Sequence, residues 1–173
     1  MNKLQVSIVM GSDSDLSIMK EAAEILEEFK IGYEILILSA HRTPEETIAF
    51  SKKSEIRGIK VIIAGASGSA HLAGIIAANC CLPVIGIPIH SPALNGIDSL
   101  YSTVGMPSGV PVATVGINGA KNAGILALEI LAIFDHKIKN LLKQYKKTMS
   151  QKVLEKSDKL QKIGYKKYLE LQK

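Results

Sequence analysis

Val6-Ser7-Ile8-Val9-Met10 runs into Gly11-Ser12-Asp13-Ser14-Asp15, after which Leu16, Met19, Ala23, Leu26 and Phe29 return at helical spacing. A short run rich in β-branched residues, a polar turn opened by glycine and an amphipathic repeat predict strand, loop and helix in that order. The same punctuation recurs. Ile35–Leu38 is apolar and gives way to a polar loop, and Val61–Ile63 ends at Ala64-Gly65. A helix is predicted from Leu72 to Asn79, and Val84–Ile87 and Val112–Val115 supply two more strands. Apolar runs with little alternation, separated by helical patterns, indicate a parallel sheet covered on both faces. The fold class is therefore α/β, a three-layer sandwich with right-handed crossovers.

Within that frame Thr43-Pro44-Glu45-Glu46 reads as a helix start. Thr43 is the N-cap, Pro44 occupies the first helical position and Glu46 closes a capping box. Ala123, Leu126, Ile130, Phe134, Ile138, Leu141 and Tyr145 share one face of a long C-terminal helix. A second amphipathic piece, roughly 156–171, places Leu160, Ile163 and Leu171 near one side. The expected organisation is a catalytic body over 1–142 and a Lys-rich helical extension over 143–173. Apolar helix faces in excess of what one small domain can bury predict an oligomer.

The net charge of +5 is unevenly placed. Residues 137–173 hold twelve Lys against Glu155, Asp158 and Glu170, a balance of +9, whereas residues 1–136 carry −4. A negative body is a poor platform for nucleic acid. Chain entry through Met1–Gln5 directly into a strand leads us to expect no secretory signal, and no run of eighteen uncharged apolar residues suggests a membrane span. Cys80 and Cys81 are adjacent and follow an apolar helix, so we expect buried free thiols in a reducing, cytoplasmic compartment.

Parallel sheets of this kind bind ligands outside the carboxyl ends of their strands. The first loop offers Gly11, Ser12, Ser14 and Asp15. Its hydroxyls and amides suit an anionic or hydroxyl-bearing ligand, although Ser12 or Ser14 could equally cap the helix. Asp15 suits ribose hydroxyls, or could simply complement the helix dipole. The second loop, Ser39-Ala40-His41-Arg42-Thr43-Pro44, sets an imidazole beside a guanidinium. Arg42 can fork onto a phosphate and His41 can move a proton near neutral pH. The third loop runs from Gly65 through Ser67, Gly68 and Ala70 to His71 and Leu72, with small residues that let backbone approach a ligand. Its G-x-x-G spacing matches neither a dinucleotide fingerprint nor a P-loop. His71 reads evenly as a ligand contact or a structural histidine, His90 follows the fourth strand on the same edge, and His136 reads as structural or solvated. No His, Cys or carboxylate set takes a metal-ligand spacing, so neither metal nor cofactor is expected.

Five stretches, VMGSDSD (9–15), SAHRTPE (39–45), IIAGASGSAHLAG (62–74), DSLYSTVGMPSGVPVATV (98–115) and AKNAGILA (120–127), together resemble the class I N5-carboxyaminoimidazole ribonucleotide mutases. This is the family also known as the catalytic subunit of phosphoribosylaminoimidazole carboxylase, and the likeness runs from about Val6 to about Leu142. The resemblance implies a flavodoxin-like fold, a homo-octamer and a small ribonucleotide substrate. It implies that a carboxylate moves from the exocyclic amine to C4 of an aminoimidazole ribotide through trapped CO2. His41 matches the family's proton-handling histidine. Ser12, Asp15 and Arg42 match substrate-binding positions, with Asp15 on the ribose and Arg42 on the 5′-phosphate. Gly68, Ala70, His71 and Leu72 match the loop over the base. The loop at 39–44, and Met106-Pro107 from a neighbouring subunit, are candidate covers. A sister class that carboxylates the ribotide directly with CO2 usually has Lys after the His and lacks the Pro, so His41-Arg42-Thr43-Pro44 favours the mutase. The family more often has Gly and Ala where this chain has Ser67 and Ser69, and Pro where it has Ala73. The alternatives are that direct carboxylase and a non-catalytic nucleotide-binding module that uses the basic tail on RNA or other anionic partners.

Overall fold

The computed structural model describes residues 3–172; Met1, Asn2 and Lys173, which belong to the N-terminal and tail readings above, lie outside it. The chain begins with β1 (Leu4–Met10), a 3₁₀ turn at Asp13–Asp15, α1 (Leu16–Glu28) and β2 (Gly32–Ile37). It continues through α2 (Pro44–Ser54), β3 (Val61–Ser67), α3 (Leu72–Ala77) and β4 (Val84–Ile89). α4 (Ile97–Val104), β5 (Ala113–Thr114), α5 (Ala120–Leu131) and α6 (His136–Glu170) complete it. The sheet is wholly parallel, in the order β2-β1-β3-β4-β5. The chain thus builds outward from β1 to one side, then crosses back to the other. The direction reverses between β1 and β3, where a flavodoxin-like sheet opens its binding crevice.

The period-two rule sorts the central strands onto two faces. Val61, Ile63, Ile85, Ile87 and Ile89 join Met19, Ile25, Leu26, Ala123 and Leu128 in the larger core, beneath α1, α5 and the base of α6. Val9, Ile62, Ala64 and Val84 pack with Phe50, Leu72, Ala73 and Ile76 beneath α2 and α3. Gly124 is the point of closest approach between α5 and α1. A Cβ there would stand 2.2 Å from Ile25 Cγ2 and 3.2 Å from the Ala22 carbonyl oxygen. α4 packs against β4 so closely that a Cβ on Gly86 would stand 2.5 Å from Thr103 Cγ2.

Several expectations need correction. β3 and β4 run beyond the expected Val61–Ile63 and Val84–Ile87, because small residues and Pro88 carry the strands to the site edge. α3 stops at Ala77. α4 went unread. Pro44 does begin α2, but no capping box forms. The Thr43 hydroxyl turns back instead, accepting the Ser39 N–H at 2.9 Å and donating to the Ser39 carbonyl at 3.1 Å.

The supposed continuous helix from 123 breaks after Leu131. Asp135 caps a new one, its carboxylate accepting the N–H groups of Lys137 (2.8 Å) and Ile138 (3.3 Å). His136 therefore opens α6 instead of lying late on a longer helix, and it is exposed. α6 passes residue 142 without interruption, seats Ile138, Leu142 and Tyr145 on the body, then projects away from it. Tyr145 meets Phe29 edge to face, and Lys146 pairs with Glu129 at 2.6 Å. The piece at 156–171 is the end of this same helix, interrupted only at Gly164, whose φ of 73° is non-helical. Neither cysteine is fully buried. Cys80 is half-buried, its thiol donating to the Ile76 carbonyl, with burial pushing its pKa up. Cys81 is exposed on the loop after α3. Among the described residues no helix is long and apolar enough to cross a membrane.

Candidate active site

The three loops expected to carry chemistry meet where the strand order reverses. The edge is stitched by the Gly11 N–H donating to the Gly65 carbonyl at 3.1 Å and by Leu38 N–H donating to the Met10 carbonyl at 2.9 Å. A cavity of about 250 Å³ opens above this seam. Gly11, Ser12, Asp15, Ser39, Ala40, His41, Arg42, Ser67 and Leu72 line it, together with Ala66 and Ser69, which the sequence reading did not select. An adjoining hollow shares Gly11, Ser12, Ser39 and Arg42 and extends past Asp13 and Thr43, so the two form one crevice.

In the first loop Ser12 caps the 3₁₀ turn and not α1, its hydroxyl accepting the Ser14 N–H at 3.4 Å. Asp15 is only 4 % exposed. Burial pushes its carboxyl pKa up, and hydrogen bonds from Ser12 and Ser14 and the Arg42 charge pull it partly back. A carboxylate held in this way is an acceptor ready to exchange partners with hydroxyls.

The second loop is a closed turn. Thr43 N–H donates to the Ser39 carbonyl at 2.9 Å, and Ser39 Oγ accepts from the Arg42 backbone N–H at 3.2 Å and from Nε at 3.4 Å. Arg42 Nη2 donates to the Gly11 carbonyl at 2.8 Å. These bonds hold the guanidinium at the crevice beside the Gly11–Asp15 loop.

The third loop is bent at Gly68, whose φ of 66° suits glycine. Ala70 N–H donates to the Gly68 carbonyl (2.8 Å) and His71 N–H to the Ser69 carbonyl (2.9 Å), which delivers His71 to the start of α3. His71 Nδ1 lies 3.0 Å from His41 Nε2, the rings meeting edge to face with centroids 5.1 Å apart.

Not every expected residue faces the cavity. Ser14 is exposed on the outer side of its turn, and Gly65 lies beneath the floor, where a Cβ would stand 2.3 Å from Met19 Sδ. Gly68 is the pivot of its loop, and Ala70 is buried in the protein interior. His71 touches His41 and lines a neighbouring hollow with Gly74, Ile75, Tyr101, Met106 and Pro107. His90 is exposed further along the edge, its N–H donating to Asn118 Oδ1. A larger hollow of about 540 Å³ lies where α6 leaves the body, lined by Phe29, Lys121, Tyr145 and Met149. Glu28, Lys121 and Lys152 also line it, but no histidine does, and it takes in none of the three loops. Among the described residues no three His, Cys, Asp or Glu gather as they would around a metal ion.

A 2-1-3-4-5 parallel sheet with an imidazole, a guanidinium and a buried carboxylate at its switch point defines a flavodoxin-like α/β protein with a polar crevice fit for acid–base chemistry. The family model for AIR carboxylase matches residues 5–152, and the chain belongs to that family. It is 60 % identical over 165 residues to the N5-carboxyaminoimidazole ribonucleotide mutase of Thermotoga maritima, covering 95 % of this chain and 96 % of that one. It is 62 % identical over 164 residues to the protein of the same name from Pyrococcus horikoshii, covering 95 % and 93 %. Among solved structures, the PurE of Treponema denticola superimposes with a TM-score of 0.83 at 34 % identity, over 91 % of this chain and 98 % of that one.

Proposed function

We propose that this chain is an N5-carboxyaminoimidazole ribonucleotide mutase of purine biosynthesis, an isomerase that moves a carboxylate from the exocyclic nitrogen to C4 of the imidazole. The observation that carries the reading is the convergence of His41, Arg42 and Asp15 on one crevice at the switch point, in a chain so similar to proteins bearing that name.

Arg42 holds the 5′-phosphate, Asp15 accepts from the ribose hydroxyls, and the loop from Ser67 to Leu72 lies over the base. The carbamate N–C bond breaks while the exocyclic nitrogen takes a proton, leaving the amine and CO2. The C4 carbon, electron-rich through conjugation with that amine, then attacks the retained CO2. His41 removes the C4 proton and restores the aromatic ring. One proton enters and one leaves, so a single imidazole can serve both steps and no redox partner is needed. A carbamate is intrinsically labile, so excluding water and retaining CO2 is most of the task.

The same reading carries a cytoplasmic location, no membrane or nucleic-acid partner, and a homo-octamer. The oligomer is supported by the exposed apolar side chains of α6, among them Met149, Val153, Leu154 and Leu160. The experiment is a spectroscopic assay of the purified protein with fresh N5-carboxyaminoimidazole ribonucleotide, run beside aminoimidazole ribonucleotide plus bicarbonate. Fast product from the first alone is expected. Efficient turnover of the second at modest bicarbonate makes the protein a direct carboxylase, and silence with both removes the enzymatic reading.

A further inference from the structure

The Gly68 bend has open space around it: a Cβ there would meet nothing within 4 Å. Hydrogen bonds tie the bend to the body. Gly68 N–H donates to Ser99 Oγ at 2.8 Å, and that hydroxyl donates onward to the Ile89 carbonyl at 2.6 Å. Ser99 is fully buried on α4. One turn later Ser102 donates to the Asp98 carbonyl at 2.7 Å and stands 3.4 Å from the Gly68 carbonyl oxygen. The Ser99 hydroxyl thus ties the end of β4 to the pivot of the third loop, with Ser102 as a longer second contact, and the loop's two tight turns lead from that pivot to His71. The consequence reaches the crevice because a contact between two imidazole nitrogens holds one proton. If His71 Nδ1 is the acceptor, His41 Nε2 carries the hydrogen; if His71 Nδ1 donates, His41 Nε2 is bare.

We infer that Ser99, which does not itself line the crevice, is a positioning residue for proton transfer at His41. It fixes the Gly68 turn, the turn places His71, and His71 sets the tautomer and orientation of His41. The kinetic half of this inference rests on the mutase reading; the structural half does not.

The test exploits the presence of only four histidines, His41, His71, His90 and His136. Full-length protein labelled with ¹⁵N-histidine, free of substrate, is compared as wild type, Ser99→Ala, Ser99→Thr and Gly68→Ala. In wild type the His41 and His71 ring nitrogens should report one fixed tautomer each. In Ser99→Ala both should move together toward tautomer averaging, with His136 on distant α6 unmoved. Ser99→Thr keeps the hydroxyl and should restore the wild-type pattern. Gly68→Ala leaves Ser99 intact, strains the bend alone and should reproduce the Ser99→Ala pattern. In the mutase assay Ser99→Ala should lose about 10- to 100-fold in kcat, the scale of a small misplacement of a reacting group, with KM within about twofold. Unmoved His41 and His71 signals in Ser99→Ala overturn the inference, as does a change that includes His136. Should Ser99→Ala not fold, an unaltered histidine pair in Gly68→Ala overturns it. A failure of the mutase reading shows elsewhere, as wild-type protein that does not turn over while the histidine signals behave as described.

Discussion

The two faces of the sheet are built differently. Beneath α1 and α5 the packing is dense and aliphatic, with Met19, Leu26, Ile63, Ile87 and Leu128 fully buried and two helices brought into contact at Gly124. Beneath α2, α3 and α4 the cover is thinner and carries buried hydroxyls. Thr47, Ser51, Ser54, Ser102 and Thr103 each donate to the carbonyl four residues earlier, at 2.7–2.8 Å. Such bonds satisfy polar side chains without adding bulk, at the expense of a weaker helix. His41 and Arg42 lead into α2, His71 leads into α3, and Ser99 sits on α4. One face is mostly aliphatic, whereas the other lends its helix entries to the crevice, with Asp15 of α1's loop as the exception that crosses over.

That division can be broken by substitution. The largest effect is expected on the chemical face: His41→Asn should bind substrate normally and lose about 10²- to 10⁴-fold in turnover, the usual contribution of a positioned acid–base group. Steady-state kinetics with N5-carboxyaminoimidazole ribonucleotide decide it, and near-normal turnover removes His41 from the mechanism. Arg42→Ala should raise the apparent Kd for substrate about 10- to 100-fold, matching the roughly 1.5–3 kcal/mol of a hydrogen-bonded charge. Calorimetric titration checks this, and unchanged affinity takes the phosphate elsewhere.

On the structural face Gly124→Ala should cost roughly 1–3 kcal/mol of stability by overpacking α1 against α5, outweighing the better helix propensity of Ala. Chemical denaturation measures the loss, while turnover of the folded fraction stays at wild-type level. A fall in specific activity there would erase the distinction between the faces.

The smallest effect should come from Asp15→Asn. Burial has raised the folded-state pKa of Asp15, so the ionised carboxylate is the form that folding disfavours. Its relative stabilisation is complete below the unfolded pKa and is lost as pH rises through the folded one. Asn should therefore match or slightly exceed wild type in melting temperature at pH 7, with the difference shifting toward wild type as the carboxyl protonates in acid. Substrate affinity should fall. A variant markedly less stable than wild type at pH 7 would make Asp15 a structural residue.

The strands and their loops were legible because uninterrupted β-branched runs ending in glycine are a strong pattern, and the carboxyl-edge rule then pointed to the loops. What escaped detection has physical causes. α4 has only eight residues, and three of them are Ser99, Ser102 and Thr103, so it lacks a long apolar repeat. Helical periodicity continues across Ile133 and Phe134, which are 72 % and 89 % exposed, but the Asp135 carboxylate caps a new helix there. Thr43 had two partners within reach, and the Ser39 backbone outcompeted the capping geometry. All three loops singled out in the sequence contribute residues to the crevice lining. The pairing of His41 with His71 was not legible, because thirty residues and a strand crossing separate them.

α6 has a further consequence. Its lysines recur at Lys143, Lys146, Lys147, Lys152, Lys156, Lys159, Lys162, Lys166 and Lys167, and past Lys152 the helix is almost wholly exposed in the single chain. It is therefore a ladder of tryptic sites of graded depth. Brief trypsin treatment of a free subunit should trim this rod back toward the body, whereas neighbouring copies laid along its apolar stripe should protect the ladder. The length of the surviving fragment then maps how far along the rod a neighbour reaches.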